Sequence, residues 1–367
     1  MRAGHTYPVP VLRRPVPVLL VLLAATAVTS ACTGGGSSAP SATTASPSLS
    51  AVAQTSTAPS AGVSESASSA SASPKYLGSL FSGRQGVKDG RVLVVKLDNT
   101  PNANPHAGLQ DADVVYLEQV EGGLTRYAAV FSTRIPKKIG PVRSARISDF
   151  DLLAQYGKVA FAFSGSQARL KPVIAAANLF NVSGDAGPAG YYRDFSRPAP
   201  YNFFGNGPEL LRRAPHAVHA HDVGFRFSDN RPAVGLHVRS ATVRWPAAKA
   251  VFEWSPRAKR WLLTMDGVQS TSDGVRLGGT TVVIQYVSIT NSSYHDRHGG
   301  VTPFSATVGH GRAVILMDGR AQSARWSRPS ASGGTIWTTS TGKRIAFAPG
   351  QVWVLLVNQS THASLTR

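Results

Sequence analysis

The chain of 367 residues is poor in cysteine, in acidic side chains and in long apolar runs. Its single cysteine, Cys32, excludes an internal disulfide and any thiol-based catalytic centre further along the chain. Only 19 Asp and Glu stand against 38 Lys and Arg, for a formal net charge of +19. Arg2, Arg13 and Arg14 precede Cys32 without any acid, so +16 remains beyond it. An excess of that size draws anionic partners by long-range attraction. The most apolar run near the start, residues 16–28 (VPVLLVLLAATAV), is shorter than the roughly 20 residues a spanning helix needs. No fixed-period repeat or heptad pattern is present, and Gly-x-Ser-x-Gly is absent, which removes the hydrolase nucleophile elbow.

What is present at the start is a secretory pattern. Three arginines, the apolar run and then Thr29-Ser30-Ala31-Cys32 form the n-region, h-region and small-residue cleavage site of a signal peptide over residues 1–31. A cysteine directly after Ser-Ala reads as a lipobox, although Thr29 stands where Leu is usual. Cys32 is therefore the expected lipidation site, and the cell membrane the expected partner of that lipid. Residues 32–74 are nearly all Gly, Ser, Ala, Thr and Pro, with a lone acid at Glu65. Such a segment buries too little apolar surface to offset its ordering entropy. As a flexible tether of about 40 residues it spans roughly 30–40 Å. The expected location is the extracytoplasmic face of a bacterial membrane. There the anionic partners are wall polymers and lipid-linked precursors rather than nucleic acid.

The globular part starts near Lys75. Residues 75–235 read as an α/β sheet domain. RVLVVKL (91–97), DVVYLEQ (113–119), TRYAAVFS (125–132) and KVAFAFSG (158–165) are buried strands bounded by turn residues. Helices are expected over 146–156, with Phe150, Leu152, Leu153 and Tyr156 on one face, and near 167–178 and 208–213. Residues 236–367 read as short strands separated by Gly, Asp and Pro turns, with Asp266-Gly267 and Asp318-Gly319 as hairpin turns. The fold class is thus α+β: an α/β sheet domain followed by a mostly β domain, a small barrel or a sandwich.

Charged residues concentrate in the turns after the strands. Glu118 and Glu121 lie at one strand end, Arg126 follows, and Arg143 and Arg146 sit in the next connection. Buried charges need partners, so these residues predict a shared cleft. Arginine's planar fork suits phosphate and carboxylate. The candidate roles are anion binding by Arg126, Arg143 and Arg146, with Glu118 or Glu121 as general base or metal ligand. The opposing reading is that the Glu–Arg pairs only fix the turns. Asp98 and Asn99 end a buried strand where α/β sheets place ligands, or else cap a turn. Ser164-Gly165-Ser166 is expected to supply a helix cap at Ser166. His216, His219, His221 and Asp222 match no strong zinc spacing, nor does Tyr294-His295-Asp296-Arg297-His298. Both read as solvated loops, and no metal or other cofactor is expected.

The segment from Leu97 to Arg146 resembles the signature of the YerB-like bacterial lipoproteins, a two-part family of unknown function. The resemblance rests on Asp98-Asn99, the step from Gly108 to Asp113, Glu118, Glu121-Gly-Gly-Leu-Thr-Arg126 and Gly140-Pro-Val-Arg-Ser-Ala-Arg146. In the second part it rests on GHGRAVILMDG (309–319), Trp326 and APGQVWVLLV (348–357). It departs at Pro200-Tyr201-Asn202, where the family often has Pro-His-Asn. The resemblance implies a lipoprotein of the cell envelope. Two functions stay open: binding of an anionic wall glycan or phosphate-linked precursor in the Arg/Glu cleft, and wall modification by a glycopolymer phosphotransferase or hydrolase.

Overall fold

The computed structural model describes residues 78–367. The signal peptide, Cys32 and the tether through residue 74 lie outside the described residues. The first half contains β1 (Leu93–Asp98), β2 (Val114–Gln119), β3 (Thr125–Phe131), α1 (Ser148–Ala154), β4 (Val159–Ala162), α2 (Lys171–Ala176), β5 (Leu179–Asn181), β6 (Tyr191–Arg193), β7 (Phe203–Gly205) and α3 (Gly207–Arg212). All six residues of β1 are buried, as its unbroken apolar run requires of a strand covered on both faces. The helix expected over 167–178 is a 3-10 turn, Ala168–Leu170, that runs into α2. Ser166 does not cap it. Gln167 occupies the cap position without a side-chain bond, and the Ser166 amide instead donates to Asp185 Oδ2 (3.3 Å). Part of the expected loop region forms the β6–β7 hairpin, because Tyr191 stacks on Phe203 and Tyr192 on Phe204 across it.

The second half is almost entirely β. Its longer strands are β8 (Ser240–Trp245), β9 (Ala248–Ser255), β10 (Arg260–Met265), β11 (Thr281–Val287), β12 (Ile289–His295), β13 (Val301–Ser305), β14 (Gly309–Met317), β15 (Arg320–Arg328), β16 (Ile336–Thr338), β17 (Val352–Asn358) and β18 (Ser364–Thr366). Asp318 (φ 49°) and Gly319 (φ 70°) turn β14 into β15, and Asp266 and Gly267 make the equivalent turn after β10. Both pairs hold the two positive φ angles of a type I′ turn, whose twist matches that of the strands.

The strands assemble into an eleven-stranded sheet, in the order β16-β15-β14-β11-β17-β2-β3-β1-β4-β5, with the two-residue strand Leu236–His237 beside β15. β2 pairs in parallel with β17, Val114 opposite Val352 through Leu117 opposite Leu355. The sheet therefore runs unbroken across the change in element type near residue 235, and residues 78–367 form one compact unit. β1, β2, β4, β5, β11 and β17 share one direction.

One face of the sheet presents Leu93, Val95, Leu117, Tyr127 and Trp353. It is covered by α3 and by a second sheet, ordered β10-β9-β8-β18, that supplies Trp245, Phe252 and Trp261. The other presents Val92, Val94, Ala128 and Val130 and is covered by Leu152 and Leu153 of α1, Tyr156, Ile174 of α2 and Phe225. Five of the six tryptophans are buried, and Trp254 packs partly buried against the core.

Candidate functional site

The candidate residues converge at the carboxyl ends of β1 and β2. In the antiparallel register Asp98 lies opposite Arg126, and Arg126 lies opposite Glu118. Cross-strand partners project from the same face, so one row across three strands carries acid, base and acid. The two acids are taken by other bases. Asp98 Oδ2 lies 2.7 Å from Arg143 Nε, while its Oδ1 accepts from the Thr100 amide (2.8 Å) and hydroxyl (2.6 Å). Asp98 thus caps a turn and also orients an arginine. Glu118 pairs with Lys96, which also donates to Asp149 Oδ1 (2.7 Å), and all three side chains are fully buried.

Arg126 is left between them. It is only 9 % exposed, and its Nη1 donates to the Ser144 carbonyl (3.0 Å). Among the described residues no carboxylate lies within 4 Å of it. Burial first, and then the neighbouring guanidiniums of Arg146 and Arg143, pull its pKa down to about 9. Asp98 and Glu121 offset this only in part, so the guanidinium is a buried charge without a carboxylate in contact.

Glu121 is placed by its turn. Gly122 (φ 66°) and Gly123 (φ 73°) follow it in conformations that disfavour a side chain, and a Cβ on Gly123 would come within 2.5 Å of Pro246. The Glu121 carboxylate meets Arg146 Nε at 2.7 Å and accepts from the Thr302 hydroxyl of β13. Burial alone pushes its pKa up, but these partners outweigh it and hold the carboxyl below its ordinary value. Arg143 and Arg146 are presented by an extended segment stitched between strands. The Arg143 amide donates to Lys96 O (2.8 Å), its carbonyl accepts from Ser164 (2.9 Å), and the Ala145 amide donates to Gly165 O (3.1 Å). Asp149 of α1 accepts from the Arg146 amide (2.7 Å) and so ties the buried Lys96 cluster to this segment.

Above these residues opens a cleft of about 550 Å³, lined by Glu121, Arg126, Arg143, Arg146, Ser166, Gln167 and Pro200 and, from the β12–β13 hairpin, His295 to His298. That hairpin tip was expected as a solvated loop. It is brought over the strand ends by Thr302 on Glu121, by the His295 amide on Gln167 Oε1 (3.3 Å) and by the Ser305 amide on Ser148 Oγ (2.9 Å). The only sequence signal was a charged tip between two strands. Three candidates do not line the cleft, and one of them, Asp98, only adjoins it through Arg143. Glu118 is sealed in the lysine cluster beneath it, and Asn99 is buried with its amide donating to Thr125 Oγ1 (2.7 Å). Pro200 lines it, but Tyr201 beside it does not. Asp222 pairs with Arg226 (2.8 Å), and His219 makes a backbone bridge to Arg91, so the histidine segment serves the fold.

Four arginines (126, 143, 146 and 297) and three carboxylates (Asp98, Glu121 and Asp296) form or adjoin the cleft, so one positive charge is in excess. The arrangement is suited to one anionic group, with the guanidiniums as donors.

Residues 80–220 match the N-terminal domain of a protein family of unknown function, DUF3048, and residues 241–354 match its C-terminal domain. The Bacillus subtilis (strain 168) protein named "Putative lipoprotein YerB" is 27% identical over 293 residues, covering 77% of this chain and 86% of that protein. The crystal structure of the YerB protein from Bacillus subtilis shares the fold, with a TM-score of 0.66 at 22% identity over 79% of this chain and 100% of that one. This chain, with both domains in order and the same fold, belongs to the YerB/DUF3048 family.

Proposed function

We propose that this chain is a protein lipid-anchored through Cys32 to the extracytoplasmic face of the cell membrane, whose cleft binds an anionic group of the cell envelope. The group is a phosphate of a wall glycan or of a lipid-linked precursor. The observation that carries the reading is Arg126, a buried guanidinium flanked in its row by two carboxylates that other bases have claimed. The lipid anchor is supported by the lipobox-like Ser30-Ala31-Cys32 and by the lipoprotein name of the relative.

The alternative, a wall-modifying enzyme with Glu118 and Glu121 as acid and base, has less support. Glu118 is out of reach of a ligand, and Glu121 is held ionised by Arg146 and Thr302. A general base works best with a pKa near the operating pH, and these pairings act in the opposite direction. The test is titration calorimetry of the full chain with inorganic phosphate and with wall teichoic acid, for wild type and Arg126→Met. The variant should lose tenfold or more in affinity for both ligands. Binding unchanged by that substitution would overturn the reading.

A further inference from the structure

A second groove, of about 380 Å³, adjoins the cleft, and Ser166 lines both. Its floor is apolar: Phe163, Ile174 and Leu179. Its rim is polar and mixed, with Lys171, Asn181 and Asp185 exposed. Asp185 is set in place by the backbone. The Ser166 amide donates to its Oδ2 (3.3 Å), and Gly165 leaves the room it needs, because a Cβ there would lie 2.9 Å from both Asp185 oxygens.

An apolar floor under a few separated hydrogen-bonding groups is the pattern of small-molecule sites in general. Here the rim carries one cation, one anion and one amide, so it offers donors and acceptors without net charge. That balance fits a neutral polyol, whose ring carbons cover the floor and whose hydroxyls reach the rim. It does not fit a second phosphate, which Asp185 would repel. We propose that this groove is a sugar subsite, and that the ligand of the two joined pockets is a glycosyl phosphate with its phosphate at Arg126 and its sugar beyond Ser166. The inference rests on the anion reading of the cleft and adds the class of ligand.

The experiment is calorimetry of the full chain with inorganic phosphate and with N-acetylglucosamine 1-phosphate, for wild type, Asp185→Ala and Asn181→Ala. Wild type should bind the sugar phosphate at least tenfold more tightly than phosphate. Both variants should reduce that ratio to about one to three while phosphate affinity changes less than twofold. Both side chains are exposed, so melting temperatures should stay close to wild type and exclude misfolding as the cause. Equal affinity of wild type for the two ligands, or a preference that survives both substitutions, would overturn the sugar subsite and leave the anion cleft standing. Failure of both ligands to bind would overturn the anion cleft and the sugar subsite together.

Discussion

Arg126 and Lys96 are both buried bases on the same face of the sheet, yet they are placed for different ends. Lys96 is enclosed by Glu118 and Asp149, whereas Arg126 faces Arg143 and Arg146. Removing Lys96 leaves two buried carboxylates facing each other. Lys96→Met should cost about 3–5 kcal/mol, since the surviving charges have no partner. Lys96→Met with Glu118→Gln should recover more than half of that in urea titrations. A loss under 1 kcal/mol for the single change would contradict the cluster. Arg126→Met should behave in the opposite sense. It removes a buried charge that Arg143 and Arg146 repel and that touches no carboxylate, so thermal stability should hold or rise while anion affinity falls. Along with Asp194, Asp222 and Asp296, Glu121 contributes to the acid dependence. Its folded pKa lies below its ordinary value, so its stabilisation is complete above about pH 4.5 and is lost as pH falls through the lower folded value. Melting temperatures of Glu121→Gln taken from pH 7 to pH 3 should therefore decline less than those of wild type over the acid limb. Parallel curves would show that the Arg146 pair contributes nothing.

Elements place these residues through their ends. Strand β2 stops at Gln119, and the Glu-Gly-Gly turn then carries Glu121 under Thr302 of β13. Gly122 and Gly123 both hold positive φ, but only Gly123 lies against a neighbour. Gly122→Ala should cost about 1 kcal/mol, from its backbone conformation alone. Gly123→Ala adds a collision with Pro246 and should cost about 2–3 kcal/mol, with a visible loss of anion affinity as Glu121 moves. Equal melting temperatures for the two variants would contradict the contact. The β12–β13 hairpin supplies Arg297 at its tip. Arg297→Ala should weaken phosphate binding a few-fold without a change in stability, because the side chain is exposed and supports no core packing.

At the scale of the molecule, the two matched domains share one sheet. β17, from the C-terminal part, lies between β11 and β2, and Trp353 within it packs edge-on against Tyr127 of β3 (5.4 Å) and against Phe252 of β9 (5.7 Å). Cutting the chain at residue 235 would strip β2 of its neighbour and expose both core faces. The fragment 76–235 should therefore lack a cooperative transition, whereas the full chain should unfold in one step by far-UV circular dichroism in urea. A fragment that unfolds cooperatively by itself would show that the shared sheet is dispensable.

Much of this was legible along the chain. Glu121, Arg126, Arg143 and Arg146 are legible because charges next to buried strands need partners, Asp98 because it ends a buried strand, and the strand limits because apolar runs end in turns. The Asp-Gly hairpins at 266 and 318 were readable because their turn type is a local property. Nothing local could show that Glu118 would turn to Lys96, since that pair forms across the strand between them. Nor could it show that the tip at His295–His298 would close the cleft, or that β2 would pair with a strand more than two hundred residues later. Residue type, spacing and turn chemistry determined which elements form and which charges need partners. Only the tertiary structure decided which partner each charge received, because sheet register and face are settled by packing between distant segments rather than by neighbours in sequence.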